Sequence, residues 1–191
     1  MYIDISSHNG AIDWKKVNGV NGVILRATTK NNKLDVRFME NYNGILQNIS
    51  ARLDELSVYK FSYARNYAQA RIEAAKCLRE LNSKGVQYDR LFVDMELWDG
   101  RDYTREECDE VLLGYSDAMR IAGIWNKFGI YTNYNYLKNI LDPVWRTAPI
   151  WLARWSSSIG DTLGANVVLW QYSNKGRLDG ITTDVDLSER V

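Results

Sequence analysis

Short apolar runs recur along this chain at residues 2–5, 22–27, 58–63, 91–96, 128–132, 150–154, 167–172 and 183–187, and longer amphipathic stretches separate the early ones. Runs of this length, rich in Val, Ile, Leu, Tyr and Phe, read as strands. The stretches between them carry the helical period instead. Phe38, Tyr42, Ile45 and Ile49 recur at spacings of four, three and four, which puts them on one helical face. Tyr67, Ala70, Ala74, Cys77 and Leu81 do the same behind Asn66, an N-cap residue with Gln69 at the N3 position. Cys108, Val111, Tyr115, Ala118 and Ala122 follow Thr104, whose Glu107 completes a second capping box. Strand–helix alternation predicts right-handed crossovers and a parallel sheet, an α/β fold.

Eight strands suggest closure into a TIM-like β/α barrel, with an open doubly wound sheet as the alternative. An ordinary eightfold barrel needs about 250 residues, and this chain has 191. The shortfall lies after Trp145, where the strand candidates follow one another too closely for crossover helices. The spacing therefore predicts a modified barrel of five β/α units plus three additional C-terminal strands, some of them antiparallel. No repeat, low-complexity tract or linker divides the chain, and Pro occurs only at 143 and 149. One domain over residues 1–191 is expected.

Lys+Arg and Asp+Glu both number 24, so no basic excess points to nucleic acid. No apolar run reaches the length of a membrane span, and no leader-like segment is read before the first strand. Cys77 and Cys108 each sit inside a helical pattern rather than in a Cys-x-x-Cys or Cys/His grouping, so two buried thiols are expected, with a bridge between them as the alternative. The single histidine, His8, falls in the loop after the first strand; no second His exists for a His-based metal site. Ser6 and Ser7 beside it are too close in sequence for triad geometry, and no Gly-x-Ser-x-Gly elbow is present. No metal site or cofactor is expected.

Parallel β/α folds bind ligands at the carboxyl ends of their strands, and that end of this chain is acidic. Asp94 and Glu96, at i and i+2 where the fourth strand ends, project to one face. Asp4 ends the first strand and Asp186 the last, which are neighbours if the barrel closes. Like charges in a poorly solvated cleft keep one carboxyl protonated to higher pH. A proton donor beside a carboxylate is what cleavage of a glycosidic bond requires. Solvated or ion-paired acids at strand ends are the structural alternative, and a divalent cation held by the same acids is a further one. Trp98, Tyr131, Trp151, Trp170 and Tyr63 fall at or just past strand ends, where flat rings can stack on sugars.

The same residues resemble the lysozymes of glycoside hydrolase family 25. Asp4-Ile5-Ser6-Ser7-His8-Asn9-Gly10 with Ile12-Asp13-Trp14 is similar to that family's opening block. Arg26-Ala27-Thr28 with Asp35-Val36-Arg37-Phe38 resembles its second block, Tyr59-Lys60-Phe61 its third strand, and Val93-Asp94-Met95-Glu96 its acidic strand. Gly129-Ile130-Tyr131-Thr132, Ile150-Trp151-Leu152-Ala153-Arg154, Trp170-Gln171-Tyr172-Ser173 and Val185-Asp186-Leu187 follow in the family's order. The chain departs at Lys60, where the family often has His, at Asn9 for Gln, and at Ser188 for Asn; none of these removes a carboxylate.

The resemblance implies hydrolysis of the β-1,4 bond between N-acetylmuramic acid and N-acetylglucosamine. Glu96 would be the general acid, and Asp94 would stabilise the reacting centre or orient the substrate acetamido group. Asp4 and Asp186 would support them. Tyr63, Trp98, Tyr131, Trp151 and Trp170 would line the groove. The implied partner is the glycan strand of peptidoglycan, reached outside the producing cell or, for a phage endolysin, released from the host cytoplasm. A separate cell-wall-binding module is a further implied partner. A wall-binding module without chemistry and a metal-dependent hydrolase are the competing readings.

Overall fold

The computed structural model describes residues 1–97 and 99–191. Eight strands close into a barrel in chain order: β1 (Tyr2–Ile5), β2 (Gly22–Arg26), β3 (Glu55–Phe61), β4 (Leu91–Met95), β5 (Phe128–Asn133), β6 (Ile150–Ala153), β7 (Val167–Gly176) and β8 (Val185–Arg190). Each neighbouring pair from β1 to β7 is parallel. The seam is different: β8 runs antiparallel to both β7 and β1. Closure excludes the open doubly wound sheet.

Four α-helices wrap the barrel: α1 (Phe38–Asn48), α2 (Tyr67–Ser83), α3 (Arg105–Ile121) and the short α4 (Tyr134–Asn139). Their starts are where the capping residues put them. The Asn66 side chain accepts from the Gln69 N–H, and Thr104 and Glu107 form a reciprocal capping box. The apolar stripes face inward, with Phe38, Tyr42 and Ile45 buried on α1 and Ala70, Ala74, Cys77 and Leu81 on α2. Cys77 and Cys108 are both buried and free. Gly114 lets α3 lie close against α2, because a Cβ there would come within 2.6 Å of the Tyr67 carbonyl oxygen.

The five-unit expectation differs in its first member. Between β1 and β2 there is no α-helix, only a 3-10 turn at Ser7–Asn9 and irregular chain. Trp14, Val17 and Val20 of that segment are buried all the same, and the Trp14 indole N–H donates to Asn41 Oδ1 on α1 at 3.3 Å. An irregular segment thus does a helix's work of covering β1 and β2. At the other end, β7 runs on to Gly176, and β8 begins at Val185 rather than at residue 183.

The barrel has two apolar compartments. The larger lies between strands and helices and includes Ile3, Ile5, Val23, Leu25, Val58, Leu91, Val93, Ile130, Ile150 and Leu152. The smaller fills the barrel interior with Tyr2, Ile24, Phe92, Tyr131, Trp151, Ala153 and Leu169. Residues two apart along a strand share a face, so the interior positions are the alternate ones, and Asp4, Asp94 and Gln171 continue that series towards the carboxyl ends of β1, β4 and β7.

Candidate active site

Above the apolar plug, the barrel mouth holds a cavity of about 90 Å³ lined by Asp4, Tyr59, Asp94, Glu96, Tyr131, Trp151, Gln171 and Asp186. Four strands deliver the acids and the amide that links two of them. Asp4 on β1 stands directly opposite Asp186 on β8 in the antiparallel register. Asp94 on β4 stands opposite Tyr131 on β5, which in turn faces Trp151 on β6. Glu96 lies one residue beyond β4 and shares the face of Asp94.

The electrostatics follow from burial and like charge. Asp94 is 4% exposed, and its Oδ1 is buried with no hydrogen-bond partner among the described residues. Burial raises its carboxyl well above the ordinary value; the charges of Glu96 and Asp4 raise it further, and Lys60 opposes them. Burial likewise raises Asp4 well above its ordinary value, helped by Asp186 and opposed by the hydrogen bond from Gln171. Glu96 is raised by burial and then by Asp186, and Asp186 by burial. Carboxyls so placed oppose one another's ionisation, so the cluster gives up its protons at higher pH than isolated carboxyls would.

Hydrogen bonds fix the walls. Gln171 Nε2 donates to Asp4 Oδ2 at 3.0 Å and to Asp186 Oδ2 at 3.2 Å, while its Oε1 accepts from Tyr131 OH and from Trp155 Nε1, both at 3.1 Å. The Trp151 indole donates to Ser188 Oγ at 3.0 Å, which gives the residue at the departing position a clear task. Around the mouth, Arg26 pairs with Asp35 and donates to Ser7 Oγ, tying together the loops after β1 and β2. Asn9 Nδ2 donates to the Asp184 carbonyl, and Asp13 N–H donates to the Gly180 carbonyl, so the loop after β1 leans on the loop before β8. Gly180 has φ +90°, and a Cβ there would meet the Asp13 carbonyl oxygen at 2.4 Å.

The structure brings together six of the nine residues singled out in the sequence: Asp4, Asp94, Glu96, Asp186, Tyr131 and Trp151. Trp151 is 1% exposed and forms the cavity floor, its ring 4.5 Å from that of Tyr131. Tyr63 lies outside this cavity; it lines a separate one with Lys30, Asn32 and Glu73. Trp170 faces away from the acids, is buried, and donates its indole N–H to the Arg154 carbonyl at 2.8 Å. Its neighbour Gln171 takes the interior place, because adjacent strand residues point to opposite faces. Trp98 lies outside the described residues. Lys60 is also absent from the mouth: it is fully buried on the outer face of β3, 2.8 Å from Glu73 of α2.

Tyr59, Gln171 and Trp155 are site residues that the sequence reading did not single out. Strand parity could have found the first two, since Tyr59 shares its face with Phe61 and Gln171 with Leu169. Trp155, 60% exposed and beyond β6, carried no signal. Among the described residues no group of three His, Cys, Asp or Glu side chains is arranged to hold a metal ion, and no helix is long and apolar enough to cross a membrane.

A closed β/α barrel whose mouth gathers carboxylates with raised proton affinity has the architecture of a barrel glycosidase. The chain belongs to the family described as Glycosyl hydrolases family 25, which matches residues 3–181. It is 25% identical to the autolytic lysozyme of Clostridium acetobutylicum, an alignment covering 98% of this chain and 54% of that protein. Among solved structures it is similar to the modular autolysin LytC of Streptococcus pneumoniae in complex with a synthetic peptidoglycan ligand, with a TM-score of 0.86, 25% identity, and coverage of 98% of this chain and 45% of that one. The lysozyme of Streptomyces coelicolor shares the fold, with a TM-score of 0.74, 22% identity, and coverage of 98% and 90%. The chain thus spans about half the length of the clostridial and pneumococcal relatives, 54% and 45% respectively.

Proposed function

We propose that the chain is a lysozyme of the N-acetylmuramidase type, cutting the β-1,4 bond between N-acetylmuramic acid and N-acetylglucosamine in peptidoglycan. The observation that carries this reading is the convergence of Asp4, Asp94, Glu96 and Asp186 on one small cavity at the barrel mouth. Glu96 is the more exposed member of the β4 pair, and its proton affinity is raised by burial and by Asp186. It donates its proton to the leaving glycosidic oxygen. Asp94, deeper in the mouth, orients the 2-acetamido group of the cleaved sugar, whose carbonyl oxygen attacks the anomeric carbon as the bond breaks. Water then opens that intermediate and returns a proton to Glu96. Asp4 and Asp186 keep the field negative around the developing cation. Tyr131 and Trp151 shape the floor beneath the sugar. The substrate surface is the bacterial cell wall, reached from outside the cell or by release from a lysing host, and a separate wall-binding module is the partner this function suits.

The test is loss of turbidity of purified cell walls, with mass spectrometry of the released fragments. N-acetylmuramic acid at the new reducing end is the expected product. Glu96→Gln lowers the rate by about 10²–10⁴-fold, the usual worth of a positioned acid, with the fold intact by circular dichroism. Walls that sediment with the protein but release no reducing sugar would convert the reading to a binding module. A Glu96→Gln variant as fast as the parent would remove Glu96 from the acid role.

A further inference from the structure

Asp4 and Asp186 present two carboxylates directly opposite each other across the β1–β8 seam. Like charges in that position repel and destabilise the pairing. Between them stands a single amide, on the strand that is β8's other neighbour. Gln171 is 1% exposed, and its hydrogen-bonding capacity is fully used: two N–H donors on two carboxylates, two lone pairs on the Tyr131 hydroxyl and the Trp155 indole. Turned over, the amide would aim its oxygen at two carboxylates and an N–H at the Trp155 indole, which can only donate, losing those three bonds. The Trp155 indole, with the Tyr131 hydroxyl turned to donate beside it, therefore fixes which end of the amide meets the acids.

We propose that Gln171 is a positioning residue for the reaction, an amide clamp that holds Asp4 and Asp186 side by side at one separation while Tyr131 and Trp155 lock the clamp's direction. The inference rests on the muramidase reading for its consequence, though not for its geometry. Hydrogen bonds to the ionised form favour that form, so the clamp lets two adjacent acids carry negative charge in a site where burial and mutual repulsion oppose it. That charge acts on Glu96 from the β8 side, with Asp94 beside it on β4 and Tyr59 and Tyr131 on the flanking strands β3 and β5. With the clamp removed, the pair relieves its repulsion by rotating apart or by binding a proton. Either response withdraws the field that keeps the proton on Glu96. Trp155 extends the clamp to the surface. Its ring is exposed while its N–H is anchored to the amide, so a sugar resting on that ring presses on the same network that sets the acids.

The test combines a measurement on the unmodified protein with one variant. In the parent, the two Gln171 side-chain N–H resonances are followed by NMR across acidic to neutral pH. The expected result is slow exchange with solvent and shifts that track the titration of the acid pair. Gln171→Leu, similar in volume and unable to donate, should lower kcat on wall fragments by about 10²-fold, the usual cost of a misplaced catalytic group, with KM changed less than about threefold. Resonances that exchange like those of an exposed amide or ignore pH overturn the clamp, whether or not the leucine variant folds. So does a folded leucine variant with kcat within twofold of the parent. A parent that releases no sugar defeats the muramidase reading instead, and the amide titration, which needs no turnover, still decides the clamp.

Discussion

Replacing Asp94 by Asn should make the protein more stable and nearly inactive, and the gain should depend on pH in a defined direction. Asp94 is 4% exposed, and its Oδ1 has no hydrogen-bond partner among the described residues. Leaving a buried polar atom unsatisfied costs about 1–3 kcal/mol, and more when the group is charged. The side-chain amide of Asn has the same shape, carries no charge, and brings an N–H pair into a cavity lined by acceptors. Its expected advantage near pH 7 is therefore about 1–3 kcal/mol, or roughly 2–12 °C in thermal midpoint for a chain of this size. Burial, Glu96 and Asp4 raise the folded-state carboxyl above its value in the unfolded chain. The folded protein thus holds a proton that the unfolded chain gives up. The stability tied to that proton is full below about pH 4, the unfolded value, and is lost as pH rises through the folded value. Asn should accordingly stabilise at pH 7 and give much less at pH 3.5. Thermal unfolding of parent and variant at the two pH values, beside wall-clearing rates, makes the comparison. An unchanged or lower midpoint at pH 7, or an equal gain at both pH values, would refute the claim that Asp94 is held against its own electrostatic preference.

Three further outcomes follow from the geometry. Lys60→Met strands the Glu73 carboxylate inside the protein and should cost on the order of 3–5 kcal/mol in urea unfolding, much of it recovered when Glu73→Leu is added. Trp155→Ala removes an exposed ring beside the mouth and should raise KM roughly fivefold, about 1 kcal/mol of aromatic contact, as read from initial rates on soluble wall fragments. Gly180→Ala forces a side chain into φ +90° and against the Asp13 carbonyl. It should lower stability by about 1–3 kcal/mol in thermal unfolding and loosen the loops that bracket Asp4 and Asp186.

Much of this architecture is legible in the residue pattern because local and global preferences agree. The stripes at Phe38–Tyr42–Ile45 and Ala70–Ala74–Cys77 can be helical and little else, and Asn66 and Thr104 mark where two helices begin. Asp94 and Glu96 stand out because an apolar strand has no structural use for two acids on one face. Asp4 and Asp186 join them only through closure, which the strand count suggested and the register β1–β8 realises. What was not legible depends on tertiary context. Residues 6–21 show no periodicity, yet Trp14, Val17 and Val20 pack as a helix face would. Trp170 stands out in sequence as a groove ring and Gln171 does not, yet the strand's rotation sends the amide inward and the indole out. Lys60 departs from the family's usual His, and only its partner Glu73, on a different element, accounts for its buried charge.

The antiparallel seam has a consequence for how the protein is made. Asp4 and Asp186 come from the first and last strands of the barrel, so the β1–β8 pairing is far more non-local than any pairing of consecutive strands. Loop closure must be completed before such contacts return any free energy, so strands β2 to β7 can associate while the acid cluster does not yet exist. A chain lacking β8 has an unpaired β1 edge and lacks Asp186, one of the four clustered carboxylates. The full acid cluster therefore arrives only with β8, after the rest of the barrel is in place to hold it.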